Sequence, residues 1–216
     1  PKWRERIAGR REATSWACPP AMLAVMPLRV KALVALVRTL KTQIDDFRRR
    51  IEDAFEHHPD AVLFDSLPHS GVRLAPRLLG HFGNQRGRYD SARSLQQLAG
   101  CVPVTKKSGK SEKIHFRRAC RKRFRNSLHQ YALASLQGSA WARACYDLAR
   151  ARGQTNAHAL RTVGERWIHI IYRIWMTDTP YNEGIYLASL IKHGSPVIEW
   201  MQSQKKPAQI EEKPLT

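Results

Sequence analysis

LRVKALVALVRTLKTQIDDFRRRIEDAFEH, residues 28–57, decides the fold. Leu33, Val37, Leu40, Ile44, Phe47, Ile51 and Ala54 follow one another at steps of four and three. Steps of that size return each side chain to the same side of an α-helix, as the a/d seam of a heptad repeat. Arg38, Lys41, Asp45, Arg48 and Glu52 fall off the seam and stay in water. Such a stripe needs cover, either from the domain to which the helix belongs or from another helix in a coiled coil. The spacing leaves both open. His58-Pro59 stops the helix, because the residue before a proline is pushed out of the helical region.

Helical periodicity continues downstream. Leu74, Ala75, Leu78, Leu79 and Phe82 predict a helix ending at Gly83. Ser91 stands where it can cap a helix through Leu95 and Leu98, with Gly100 as its stop. A helix over 124–137 presents Leu128, Tyr131, Ala132 and Leu136. A second over 140–152 is capped by Ser139 and ended by Gly153. A third over 156–176 buries Leu160, Val163, Trp167, Ile170, Ile171, Ile174 and Trp175. A last short helix is expected over 186–193. Upstream, a short helix is expected over 3–12, and Pro19, Pro20 and Pro27 are expected to interrupt any long helix. No β-alternation of useful length appears. The expected fold is therefore all-α: a long coiled-coil helix, then a compact helical domain containing a helix-hairpin-helix-like turn. The expected division is a linker over 1–27, the coiled-coil helix over 28–58, a compact domain over 59–180 and an extension over 181–216, disordered after 203.

Charge narrows the function. The 216 residues hold 37 Lys and Arg against 18 Asp and Glu, a net charge of +19. An excess of this size favours an acidic partner, and nucleic-acid phosphate leads over an anionic membrane surface because the charge is clustered. The cluster is KKSGKSEKIHFRRACRKRFR, residues 106–125. Its basic members are Lys106, Lys107, Lys110, Lys113, Arg117, Arg118, Arg121, Lys122, Arg123 and Arg125, and Glu112 is its one acid. Arg117, Arg118, Arg121, Lys122 and Arg125 recur at steps that can make a basic helix face. Contact with the phosphate backbone, not base reading, is the expected role. Ser108 and Ser111 sit at the head of the run with Gly109 between them; on chemistry alone a serine there is a loop residue until a base or metal activates it.

Leu67-Pro68-His69-Ser70-Gly71 leads into a predicted helix whose first N–H groups are free. A helix-hairpin-helix turn of this kind holds a DNA phosphate on turn amides such as that of Gly71. Its common form has glycine where His69 stands. Cys18, Cys101, Cys120 and Cys145 match no zinc spacing and are read as reduced cytosolic thiols. No carboxylate cluster or H-E-x-x-H is present, so no metal or other cofactor is expected in this chain. No apolar run is long enough for a membrane span. The chain begins at Pro1, which reads as a fragment.

Taken in order, the motifs carry a resemblance. The heptad helix is followed by HHPDAVLFDSLPHSGVRLAPRLLGHFG, then SARSLQQLAGCVPVTKKSGKS, RRACRKRFRNSLHQYALASL and ACYDLARARG. The ordered set L-P-x-x-G, LAG-x-x-P, S-G-K-S and L-A-R-A-R-G, spread over about residues 28–178, resembles the C-terminal half of the insertion-sequence "one-ten" transposases (IS116/IS110/IS902-type, Piv/MooV-like DEDD enzymes). The resemblance implies a DNA transposase acting by phosphoryl transfer, in which the serine of the S-G motif, here Ser108 with Ser111 as second choice, attacks a DNA phosphate. It implies a RuvC-like domain binding a divalent metal (Mg) through four acidic residues, expected upstream of Pro1, without which this fragment is inactive. Lys106, Lys107, Lys110 and Arg117 become phosphate clamps. DNA, a structured guide RNA and further copies of the chain through the coiled coil become the expected partners, and the bacterial cytoplasm, at the nucleoid, the expected location. The alternative is a non-catalytic helix-hairpin-helix module that only binds DNA or RNA.

Overall fold

The computed structural model describes residues 20–109 and 111–205. The helix expected over 3–12, Cys18, Lys110 and the end of the expected tail lie outside the described residues. Contacts divide the chain after Ile51 into two units.

Helix α1 (Pro20–Glu56) starts on Pro20 and runs through Pro27, so the expected break at Pro27 does not occur. Proline is at home in a first turn, where its missing N–H would have no acceptor. Inside the helix Pro27 costs about 3 kcal/mol, but a break there would require a second, separately nucleated helix. Within the first unit the seam is bare: Leu33, Val37, Leu40, Ile44, Phe47 and Ile51 are each 49 to 64% exposed. Off the seam, Arg48 pairs with Asp45 at 2.8 Å and Arg49 pairs with Asp46.

The second unit is a helical body. Its helices are α2 (Ala61–Asp65), α3 (Gly71–Phe82), α4 (Ala92–Ala99), α5 (Lys122–Gly138), α6 (Ala140–Ala151), α7 (Asn156–Thr177), α8 (Glu183–Lys192) and α9 (Pro196–Lys205). The central helix is α7, against which α2, α4, α5 and α6 all pack. Its residues Val163, Trp167, Ile171 and Trp175, at steps of four, are fully buried. Thr155 caps its start by accepting the His158 N–H, and Asp178 ends it at φ 52. Gly164 lets α5 approach closely, since a Cβ there would meet the Leu128 side chain at 3.1 Å.

Two aromatic clusters fill the core. Phe82 meets Phe64, Phe124 and Trp175 edge-on, at centroid separations of 5.5, 6.0 and 5.6 Å. Trp167 meets Trp141 at 4.8 Å and Tyr131 at 5.1 Å. Each buried indole finds an acceptor, as burial demands. Trp167 Nε1 donates to Ser135 Oγ at 2.8 Å, Trp141 Nε1 to Tyr181 Oη at 2.9 Å and Trp175 Nε1 to Asp60 Oδ2 at 2.9 Å. Arg86 balances buried Asp60 at 2.6 Å and also donates to the Trp175 carbonyl at 2.6 Å.

The fold is mostly helical, as expected, with three departures. A β-hairpin occupies residues 104–115, where no strand was expected. Residues 196–205 form α9, so 203–205 belong to a helix, and Val197 is 1% exposed in the core that Tyr181, Tyr186 and Trp200 also join. Ser91 and Ser139 stand at N-cap positions without capping through their side chains; Ser139 Oγ donates to Glu183 Oε1 at 2.8 Å instead.

Gly100 closes α4 at φ 70, and a Cβ there would lie 2.8 Å from both Cβ and Sγ of Cys120. Left-handed strain and the clash act together, so Gly100→Ala is expected to lose about 2 kcal/mol of stability in urea unfolding. A loss under about 0.5 kcal/mol would mean that the Cys120 segment yields freely.

Candidate nucleic-acid interface

The basic run divides into a hairpin, a loop and a helix start. Strands β1 (Val104–Ser108) and β2 (Ser111–His115) pair antiparallel, with Val104 opposite His115, Lys106 opposite Lys113 and Ser108 opposite Ser111. Gly109 takes φ 56 in the two-residue turn, a conformation that favours glycine. The base of the hairpin is fastened to the body. Arg117 Nε donates to the Val102 carbonyl at 3.2 Å, Arg121 N donates to the Leu98 carbonyl at 2.8 Å, and Cys120 sits against Gly100.

Register sorts the charges. Residues directly opposite each other in an antiparallel pair share a face, and successive residues alternate. Val104, Lys106, Ser108, Ser111, Lys113 and His115 therefore lie on one face, and Thr105, Lys107, Glu112 and Ile114 on the other. The run's one acid is segregated from both serines and is bound to Lys107 at 3.0 Å. On the serine face two lysines stand opposite each other with no acid between them. Like charges so placed repel, and a bound anion relieves the repulsion. Beyond Val104 every described residue of both strands is exposed, so a large ligand can reach this face.

The expected site residues are not all brought together. Lys106 and Lys113 share the face of Ser108 and Ser111; Lys107 does not. Arg117 is held at the hairpin base. The expected basic helix face is corrected: α5 begins at Lys122, so Arg117, Arg118 and Arg121 lie in the connecting loop, and Lys122 and Arg125 alone of the five are helical. The chain must return from the hairpin to the Leu98 carbonyl before a helix can start, and that return uses residues 116–121. Gly71 begins α3 at φ 53, and His69 takes φ 55, a left-handed conformation that glycine adopts at less cost. The His69 ring lies over Gly138, where an added Cβ would come within 2.0 Å of it, and Ser70 Oγ donates to the Leu67 carbonyl at 2.9 Å. Helix α2 before this turn has five residues.

Two of the cysteines are unreactive by burial. Burial pushes the Cys101 thiol up to about 12 and raises that of Cys145, so both are neutral near pH 7. Among the described residues no three His, Cys, Asp or Glu side chains converge to hold a metal ion. Asp45 and Asp46 are each paired with an arginine. No described helix is long and apolar enough to cross a membrane.

Residues 61–147, which contain the hairpin and both of its serines, match the family model described as Transposase IS116/IS110/IS902 family. Over these residues the chain is similar to the IS116/IS110/IS902 transposase family. Three curated relatives agree. The "Mini-circle putative transposase for IS117" of Streptomyces coelicolor is 32% identical over 163 residues, 74% of this chain and 39% of the relative. The "Insertion element IS110 uncharacterized 43.6 kDa protein" of the same organism is 29% identical over 167 residues, 74% of this chain and 40% of the relative. The "Insertion element IS900 uncharacterized 42 kDa protein" of Mycobacterium paratuberculosis is 27% identical over 154 residues, 71% of this chain and 39% of the relative. The chain thus spans about two fifths of the length of the curated relatives it matches.

Proposed function

We propose that this chain is the DNA-contacting, serine-bearing part of a transposase that cuts and exchanges DNA strands. The observation that carries the reading is the hairpin register, which gathers Ser108, Ser111, Lys106 and Lys113 on one exposed face. Ser108 Oγ attacks a backbone phosphorus, forming a phosphoserine ester as the bond to the 3′ oxygen breaks and that oxygen leaves with a proton. A 3′ hydroxyl of another strand reverses the step, restoring the serine. Cations beside the phosphate stabilise charge that grows in the transition state; Lys106 and Lys113 are proposed for this because they share the face of Ser108, and Lys107 and Arg117 are proposed to hold the hairpin's shape.

A serine is a poor nucleophile unaided, and among the described residues no three metal-ligating side chains converge. A partner domain of the RuvC-like kind is proposed to complete the centre, so this chain alone binds nucleic acid without cutting it. The bare apolar seam of α1 supports self-association through a coiled coil. A structured RNA is proposed as a further polyanionic partner.

The second reading, a non-catalytic binding module on a helix-hairpin-helix-like turn, is supported by the left-handed φ of His69 and Gly71 between two helices. The two readings part on a covalent intermediate. When a full-length protein carrying this chain is stopped during cleavage and digested, a DNA-linked peptide bearing the modification on Ser108 is expected. Modification on Ser111 moves the nucleophile by one cross-strand pair. Cleavage without any adduct overturns the serine mechanism.

A further inference from the structure

Phe116, the residue after β2, is flanked by two arginines from different helices. Arg125 Cζ of α5 lies 5.2 Å from the ring centroid and Arg161 Cζ of α7 lies 4.7 Å from it. Guanidinium is the side chain that holds its charge most firmly in proteins; burial holds Arg161 below its ordinary value. Arg125 Nη1 is buried without a hydrogen-bond partner, as is Nε2 of His129, one turn further along α5. His129 is held below its ordinary value first by burial and then by the charges of Arg161 and Arg125. Among the described residues neither arginine forms an ion pair with a carboxylate. Cys101 beside them stays a neutral thiol, and the charges that act on the Glu165 carboxyl are those of Arg93 and Arg166. Two cations thus share one ring, and beside them Arg125 Nη1 and His129 Nε2 lack a hydrogen-bond partner.

We propose that Arg125 and Arg161, both against Phe116, form with neighbouring His129 a phosphate site that takes one phosphodiester of a nucleic-acid backbone. Planar guanidinium forks match phosphate oxygens in pairs. Phe116 is 47% exposed, so the site is open to a strand. From Ser111, opposite Ser108, to Phe116 is five residue steps, about 17 Å at a strand's rise. Measured along the hairpin, a phosphate bound there falls roughly 17 Å from the one at Ser108. This spacing rests on the reading of Ser108 as nucleophile; the anion site itself does not.

The test uses the full 216-residue chain with two probes, a short DNA duplex and inorganic phosphate. Arg161→Gln is expected to weaken duplex binding about five- to tenfold at moderate salt and to reduce the slope of log affinity against log salt by about one. Arg161→Lys, which keeps the charge and loses the fork and ring contact, keeps the slope with a smaller loss of affinity. Arg143→Gln serves as control, since Arg143 is already paired with Asp147 at 2.9 Å, and should bind as the parent does. Phosphate should raise the unfolding temperature of the parent and not that of Arg161→Gln. Equal slopes and equal phosphate stabilisation in parent and Arg161→Gln overturn the site. If the parent fails to bind duplex with a salt slope while phosphate stabilisation still depends on Arg161, the transposase reading fails and the anion site stands.

Discussion

Ser108→Ala in an intact transposase carrying this chain is expected to lower strand exchange by a factor on the order of 10⁴ or more, the scale of losing a nucleophile. The change removes one oxygen from an exposed hairpin tip, so neither stability nor DNA affinity should move measurably. Those two unchanged quantities separate lost chemistry from lost structure. Ser111→Ala, made directly across the pair, is expected to keep most of the exchange activity. Lys106→Ala and Lys113→Ala should fall between the two, because each leaves the nucleophile and removes one of a pair of cations. The decisive measurement is exchange of a labelled strand with each variant, alongside duplex binding. Undiminished exchange by Ser108→Ala sinks the mechanism whatever the other variants do.

The largest stability effect is expected at Trp175. Its ring is fully buried, meets Phe82 at 5.6 Å and Tyr89 at 6.4 Å, and donates through Nε1 to Asp60. Removing a buried indole costs about 3–5 kcal/mol in lost transfer energy and cavity. Trp175→Ala also strips a donor from a carboxylate that is 6% exposed, leaving Arg86 to hold it alone. With single domains stable by roughly 5–15 kcal/mol, this variant should sit near the threshold of folding. Trp175→Phe keeps a ring and loses the hydrogen bond, so about 1–3 kcal/mol is expected. Urea unfolding of both variants tests the account. A loss below 1 kcal/mol for the alanine variant would show that Phe82 and Tyr89 close the gap.

Most helices were legible because their information is local. The buried face of α7 can be read from Leu160 to Trp175 without knowing what covers it. Gly83, Gly100 and Gly153 mark ends because a left-handed residue is needed there whatever the tertiary context. The hairpin was hidden for a related reason. Sheet alternation is read from apolar against polar residues, and here both faces are polar and exposed, so the period of two carries no contrast. A weaker signal was present in Val104, Thr105 and Ile114 around Ser-Gly-Lys-Ser, a β-prone pair of flanks about a turn.

The sequence by itself determined the helical class, the basic cluster and the order of the motifs on which the proposal for Ser108 rests. Each is a property of neighbouring residues or of their order along the chain, and survives without coordinates. Only the tertiary structure decided which cations accompany the serine. Lys106 and Lys107 are indistinguishable as neighbours in a basic run, yet pairing register sends one to the serine face and binds the other to Glu112 on the opposite side. Arg161 is separated from Arg125 by 36 positions, and only the packing of α7 against α5 brings both onto Phe116. Charge counts add along a chain, but electrostatic fields depend on distance in space, and folding alone sets those distances.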